Sequence, residues 1–238
     1  MSIFLIAGSL QTTMGRLLDE NRRRIWAKVE TASSVNVLTA VSVLFLFLGI
    51  LSAYIAIVVL LTPTAFDAHF RAVLHLSGVD LTAELSAPER FSGISRWLRH
   101  NFSVAFVVFS LSFFYRAFGA ALLLSWNAAT WIAALFFLGR LVLLNKEGLF
   151  WLTILNLCTA LVPHLLAESF GYCIVAISAI FASSGLAQYG SKDARLWQVL
   201  RAALLLLTIG LCIISIGAAL EAYWAPFVLS QRIPNEHP

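Results

Sequence analysis

Charge is what this chain has least of. Of its 238 residues sixteen are Lys or Arg and twelve are Asp or Glu, so 12% are charged while 60% are hydrophobic. A soluble domain usually carries about 25% charged residues. With a mean hydropathy of +0.87, the shortfall excludes an ordinary water-soluble globule. Cysteine is sparse too. Cys158, Cys173 and Cys212 lie in apolar segments at spacings that fit no metal motif, and they read as free packing residues rather than disulfides. No Gly-rich phosphate loop is present, which excludes nucleotide-driven work by this chain alone. No internal repeat and no pair of interrupted helices of the inverted-repeat transporter kind is evident. The net charge of +4 does not point to nucleic acid, because the basic residues gather at the edges of apolar segments, where they set membrane orientation.

What remains is apolar and helical. We expect an all-α polytopic transmembrane bundle of five to six membrane segments, with residues 1–34 as an amphipathic cytoplasmic segment, 35–230 as the transmembrane domain and 231–238 as a polar tail. Residues 2–10 have no basic residue before them and do not read as a secretory signal. Ile3, Leu5, Ile6, Leu10, Leu17, Leu18, Ile25, Trp26 and Val29 alternate with polar and basic residues, as in helices lying on a membrane face. Arg22, Arg23, Arg24 and Lys28 suit anionic headgroups, or simply a positive-inside anchor.

The first span is Val35 to Leu61, closed by Thr62-Pro63. The section from Ala65 to Arg99 is the one long polar stretch, with turns at Gly78-Val79-Asp80 and Ser86-Ala87-Pro88 and helical spacing over Phe66 to Leu76 and Ile94 to Arg99. Four acids balance four bases there, whereas the N-terminal segment has five bases against three acids. That asymmetry predicts a cytoplasmic N-terminus. Further apolar stretches are expected at 101–125, containing Arg116; at 130–144, containing Arg140; at 149–162; from His164 to Gln188; and at 199–224. Six crossings would put Lys192 outside, against the positive-inside rule, so five crossings plus a broken or re-entrant element is preferred. Gly119-Ala120-Ala121, Ala176 to Ala182 and Gly217-Ala218-Ala219 allow helix backbones to approach.

The break is expected at Pro163, which lacks a donor N–H. Just after it, His164 and Glu168 fall one turn apart on one helix face. An unpaired carboxylate in hydrocarbon costs several kcal/mol, so such residues usually face a bundle interior or wet cavity. Glu168 is therefore expected to pair with His164, Arg116 or Arg140, with Glu221 on the same inner surface. The candidate intramembrane polar site is His164, Glu168, Glu221 and Arg116. It reads either as a functional cavity or as a polar lock on helix register. Zinc would need about three protein ligands. Nothing in sequence brings His100, His164, Glu168 and Glu221 together, so no metal and no cofactor is expected.

Pro163-His164-Leu165-Leu166-Ala167-Glu168 resembles the Pro-His-Gly-x-x-Glu signature of the stage II sporulation protein M family, with Leu165 in place of the glycine. Three further features agree in order: His100-Asn101-Phe102 opening a span, Trp126-Asn127-Ala128 where the family has Asn-Gly, and Ala218-Ala219-Leu220-Glu221-Ala222 running to Pro226. The resemblance covers roughly residues 35–230. It implies a multi-pass protein of the bacterial or archaeal plasma membrane, and makes Asn101 and Asn127 family-motif polar residues. In sporulating bacteria the namesake anchors peptidoglycan-degrading enzymes in an engulfment complex. The expected function is thus a membrane scaffold that recruits envelope or other membrane proteins, with membrane lipids around it and a homo-oligomer compatible with the sequence. The alternatives are a transporter or lipid-handling protein using a His164/Glu168 cavity, and an intramembrane enzyme. The enzyme reading lacks a nucleophile, since Ser169, Cys158 and Cys173 have no triad pattern around them.

Overall fold

The computed structural model describes residues 32–76, 94–145, 150–225 and 227–228, together with Thr12, Gly15, Arg16, Asp19, Glu20, Arg23 and Arg24. Those seven N-terminal positions are helical, exposed and spaced three or four apart, and Arg24 pairs with Glu20 one turn back at 3.1 Å. Gly15 apart, all of them are polar or charged. The apolar positions of that segment, Arg22, Lys28, the turns near Asp80 and Pro88, and the tail lie outside the described residues.

Every regular element among the described residues is helical. Helix α1 is Ala32–Leu60, α2 is Pro63–Leu76, α3 is Ile94–Tyr115, α4 is Ala117–Asn145, α5 is Phe150–Gln188 and α6 is Ala194–Ala219, which runs into a π-helical turn, Leu220–Trp224. Four stretches are long and apolar enough to cross a membrane: Val41–Leu60, Ala117–Phe137, Cys158–Gln188 and Ala194–Trp224. The outer surface fits that reading. Phe45, Phe106 and Leu204 are each more than 60% exposed, an apolar exterior that water would penalise.

The long helices alternate in direction. A one-residue corner at Arg116, with φ of 53°, folds α4 back along α3. Gly119 lies so close to the Leu111 backbone that any Cβ there would overlap it. Asn101 and Asn127 consequently stand at the same level, lining one cavity. Ala117 and Ala120 line one small cavity with Ala176 and Ile180, while Asn127 lines another with Tyr172 and Glu168, so α5 runs antiparallel to α4. Helix α1 runs parallel to α4, with Val43 beside Ala120 and Val58 in the cluster of Ile132 and Ala133. The start of α1, the Arg116 corner and the 189–193 loop therefore share one end of the bundle. Helix α2 and the start of α3 occupy the other.

Helix α2 is short and amphipathic. Thr62 caps it, its hydroxyl accepting from the Ala65 N–H at 3.3 Å, and Pro63 takes the first helical position, where no N–H is needed. Phe66 and Phe70 stack with centroids 5.1 Å apart and bury against α4, while Asp67, His69 and Arg71 stay outside.

The closest helix pair is α5 with α6. A Cβ on Gly171 would lie 3.0 Å from the Gly210 carbonyl, and one on Gly210 would lie 3.1 Å from the Gly171 carbonyl. Further along, Ser178 donates across the interface to the Ala203 carbonyl at 2.7 Å. Asp193 caps α6, its side chain accepting from the Arg195 N–H at 2.9 Å.

Three sequence expectations are corrected. Pro163 does not break its helix: α5 is continuous from Phe150 to Gln188 with the proline inside. Pro163 cannot donate to the carbonyl four residues back, that of Thr159. The indole Nε1 of Trp224 donates to that same carbonyl at 3.0 Å, replacing the missing N–H from a neighbouring helix, as membrane bundles allow. Neither a re-entrant element nor a division between 149–162 and 164–188 survives. Second, the expected span at 101–125 is two helices meeting at Arg116, and the stretch at 130–144 is the second half of α4. No glycine or proline marks that corner in sequence. Third, the helical spacing at Ile94 to Arg99, expected as part of the polar stretch before the span at 101–125, belongs to the first turns of α3 itself.

Candidate functional site

The site is built by three helices. Glu168 sits on the buried face of α5, only 5% exposed, and its Oε1 accepts from the Asn101 amide of α3 at 2.5 Å. The second carboxyl oxygen accepts no hydrogen bond from the described residues. Asn127 of α4 lines the same cleft. It is 8% exposed, and its amide nitrogen is buried without a partner. The cleft has a volume of about 320 Å³ and is walled by Trp126, Trp131 and Tyr172 as well as by Val104 and Val107. His100 stands exposed on its rim. Among the described residues no Lys or Arg lines it.

The candidate residues divide. His164 is buried one turn before Glu168, and its Nδ1 meets no hydrogen-bond partner. Its backbone carbonyl and Glu168 both lie against Gly217 of α6, where a Cβ would stand 2.8 Å from Glu168 Cγ and 3.4 Å from the His164 carbonyl oxygen. Glu221, in the π-helical turn, lies within electrostatic reach of Glu168 and Tyr172. His164, Glu168 and Glu221 thus belong to one buried neighbourhood. Arg116 does not. It is exposed at the hairpin corner, at the level of Ala176 to Ile180, about 12–18 Å along α5 from Glu168 at 1.5 Å per residue.

Glu168 therefore takes the Asn101 amide as partner rather than His164 or Arg116, and the side chain of Arg140, the third expected partner, lies outside the described ones. The Ser169 hydroxyl is spent on the Leu165 carbonyl at 2.5 Å. All three cysteines are free. Cys173 is buried as a packing residue, whereas Cys158 and Cys212 face outward. Among the described residues no cluster of three His, Cys, Asp or Glu side chains could hold a metal.

Several participants escape sequence reading. Trp131, Thr130 and Tyr172 resemble any other apolar-segment residues until the hairpin and α5 bring them together. Gly171 carries a weak signal, since Ala167-x-x-x-Gly171 is a small-x-x-x-small pattern. Gly210 has none.

An all-helical bundle with an apolar exterior, buried amide and carboxyl groups inside and four helices long and apolar enough to cross a membrane fits the class of helical membrane proteins. Below that class, neither the family models, nor the curated proteins, nor the solved structures provide a match to the chain.

Proposed function

We propose that this chain is a multi-pass scaffold of the bacterial or archaeal plasma membrane, similar to the stage II sporulation protein M family, which holds envelope or other membrane proteins and performs no catalysis of its own. One observation carries the reading. Asn101, Asn127 and Glu168, which stand in three separate motifs of the resemblance, line one cleft, and Asn101 bonds Glu168 across 67 residues of sequence. Scattered motif residues that meet at a single place are the pattern expected of a shared site or a shared structural clasp.

The topology proposed with it has five crossings: α1, α3, α4, α5 and α6. Helix α3 is the least apolar of the five but has 22 residues, about 33 Å at 1.5 Å per residue, enough to span. The charges support the orientation. Arg116, Lys192 and Arg195 collect at the end where α1 begins, so the positive-inside rule puts that end and the N-terminus in the cytoplasm. Single cysteines at positions 116 and 192, in a background without the native three, should resist impermeant reagents in intact cells and react after permeabilisation. Labelling of either in intact cells overturns the orientation.

The scaffold function is tested by photo-crosslinking from position 126, at the cleft mouth, in native membranes. A discrete adduct in wild type that is lost in Glu168→Gln, with unchanged amounts of folded protein, supports it. An unchanged adduct pattern, or no adduct from any position around the cleft, refutes it.

A further inference from the structure

We infer that the cleft between α3, α4 and α5 is a binding site for a primary ammonium group, supplied by the ethanolamine headgroup of a membrane phospholipid. The inference rests on the membrane reading above but not on the scaffold function.

The lining chemistry selects the ligand. Among the described residues Glu168 is the one acidic side chain lining the cleft, and its described partner, Asn101, engages one of its two oxygens. No described Lys or Arg lines the cleft to neutralise it. A buried carboxylate without a counter-charge favours a cation brought from outside. Trp126, Trp131 and Tyr172 surround it, and aromatic faces attract ammonium groups. Carboxylate, amides and aromatic rings together exclude an anion as the primary ligand.

Asn127 makes the choice more specific. Its amide nitrogen is a buried donor with no acceptor, and buried donors are rarely left so. In an ethanolamine headgroup a phosphate stands two carbons from the ammonium, so the ligand that supplies the donor Glu168 lacks also carries an acceptor for Asn127 once that buried amide turns toward the cleft. A choline headgroup offers the phosphate but no N–H, and a glycerol headgroup offers no cation.

The location favours a lipid. Glu168 meets α3 at Asn101, seven residues from the start of that helix at Ile94, or about 10 Å at 1.5 Å per residue. The cleft therefore lies near the bundle end that holds α2, at a depth a headgroup can reach. Next to it on α3, Phe102 and Phe106 are exposed and apolar, a surface for acyl chains. A cleft of about 320 Å³ falls in the range of small-ligand sites.

The test uses the full chain in nanodiscs holding equal amounts of phosphatidylethanolamine, phosphatidylcholine and phosphatidylglycerol, with lipids retained after gentle detergent extraction counted by native mass spectrometry. Failure to enter nanodiscs as a folded monodisperse species would sink the membrane reading itself, which separates the two failures. The ethanolamine lipid should be retained about tenfold over the choline lipid, as one charge-assisted hydrogen bond allows. Glu168→Gln should abolish that preference. Val107→Trp fills the cleft from an exposed wall position without replacing either member of the Asn101–Glu168 pair, and it should do the same in a fully folded protein. Free ethanolamine added to lipid-stripped protein separates the sources: saturable quenching of tryptophan fluorescence without lipid retention keeps the ammonium site and assigns it to a soluble amine. Equal retention of all three lipids with no response to ethanolamine, or a preference that survives both variants, overturns the inference.

Discussion

The two sides of α5 pack by opposite rules. Toward α6 it offers Gly171, and α6 answers with Gly210 and Gly217, so backbones meet and no space remains. Toward the α3–α4 hairpin it offers Glu168 and Tyr172, and the hairpin answers with two asparagines and two tryptophans. There the helices stand apart around a cleft of about 320 Å³. In lipid no hydrophobic effect drives helices together, so van der Waals contact and interhelical hydrogen bonds decide. Absent side chains close one interface; bulky and polar ones hold the other open.

The largest effect should come from spoiling the closed side. Gly171→Leu would push its side chain into Ile214 and the Gly210 carbonyl, and should cost about 3 kcal/mol or prevent assembly. Gly49→Leu, which meets open space, should leave unfolding in mixed micelles unchanged. Equal behaviour of the two variants would refute the close-contact account.

On the open side, Glu168→Ala strands the Asn101 amide and should cost about 2 kcal/mol in the same unfolding measurement. Glu168→Gln keeps an acceptor and should cost no more than about 1 kcal/mol. If the alanine variant unfolds like wild type, the Asn101–Glu168 contact is not a clasp.

The proline repair makes a sharper test, because a partner can be restored. Trp224→Phe removes the donor to the Thr159 carbonyl and should cost about 1 kcal/mol. In a Pro163→Ala background the backbone N–H returns, and the same substitution should cost clearly less. A double-mutant cycle with no coupling would show that the indole does not replace the missing N–H.

At the hairpin corner, Arg116→Gly should raise stability by about 1 kcal/mol, since glycine adopts a φ of 53° freely and a residue with a Cβ does not. Destabilisation would mean that the arginine side chain, not the backbone, secures the turn.

The smallest effect is at the α6 cap. Hydrogen bonds from the Arg195 side chain and backbone N–H hold the Asp193 carboxyl below its ordinary value. Its contribution is therefore present above the usual carboxyl range near about pH 4 and is lost as pH falls through the depressed folded value. Hydrogen-exchange protection in the first turn of α6, taken relative to the intrinsic rate at each pH, should fall toward pH 3 in wild type and be less pH-dependent in Asp193→Asn.

The class of the molecule was legible from composition, because a helix must satisfy its own backbone in lipid and leaves an apolar run as its signature. The first span, the amphipathic α2 and the shared helix face of His164 and Glu168 followed from spacing, whereas nothing in the spacing placed Glu221 beside them. Helix ends did not. Arg116 turns the chain without glycine or proline, and Pro163 fails to interrupt it, so the two residues mislead in opposite senses. The notion of Arg116 as a buried partner for Glu168 fell with the span that contained it.

Residue types and their spacing could say that buried polar groups exist, since periodicity is local and survives in the chain order. They could not say which groups meet. Asn101 reaches Glu168, and Trp224 reaches Thr159, across separations of 67 and 65 residues. Contacts of that kind are set by the directions of whole helices and by the few glycines that let two of them touch. The same packing makes the Pro163 helix continuous, because the donor it lacks stands on another helix.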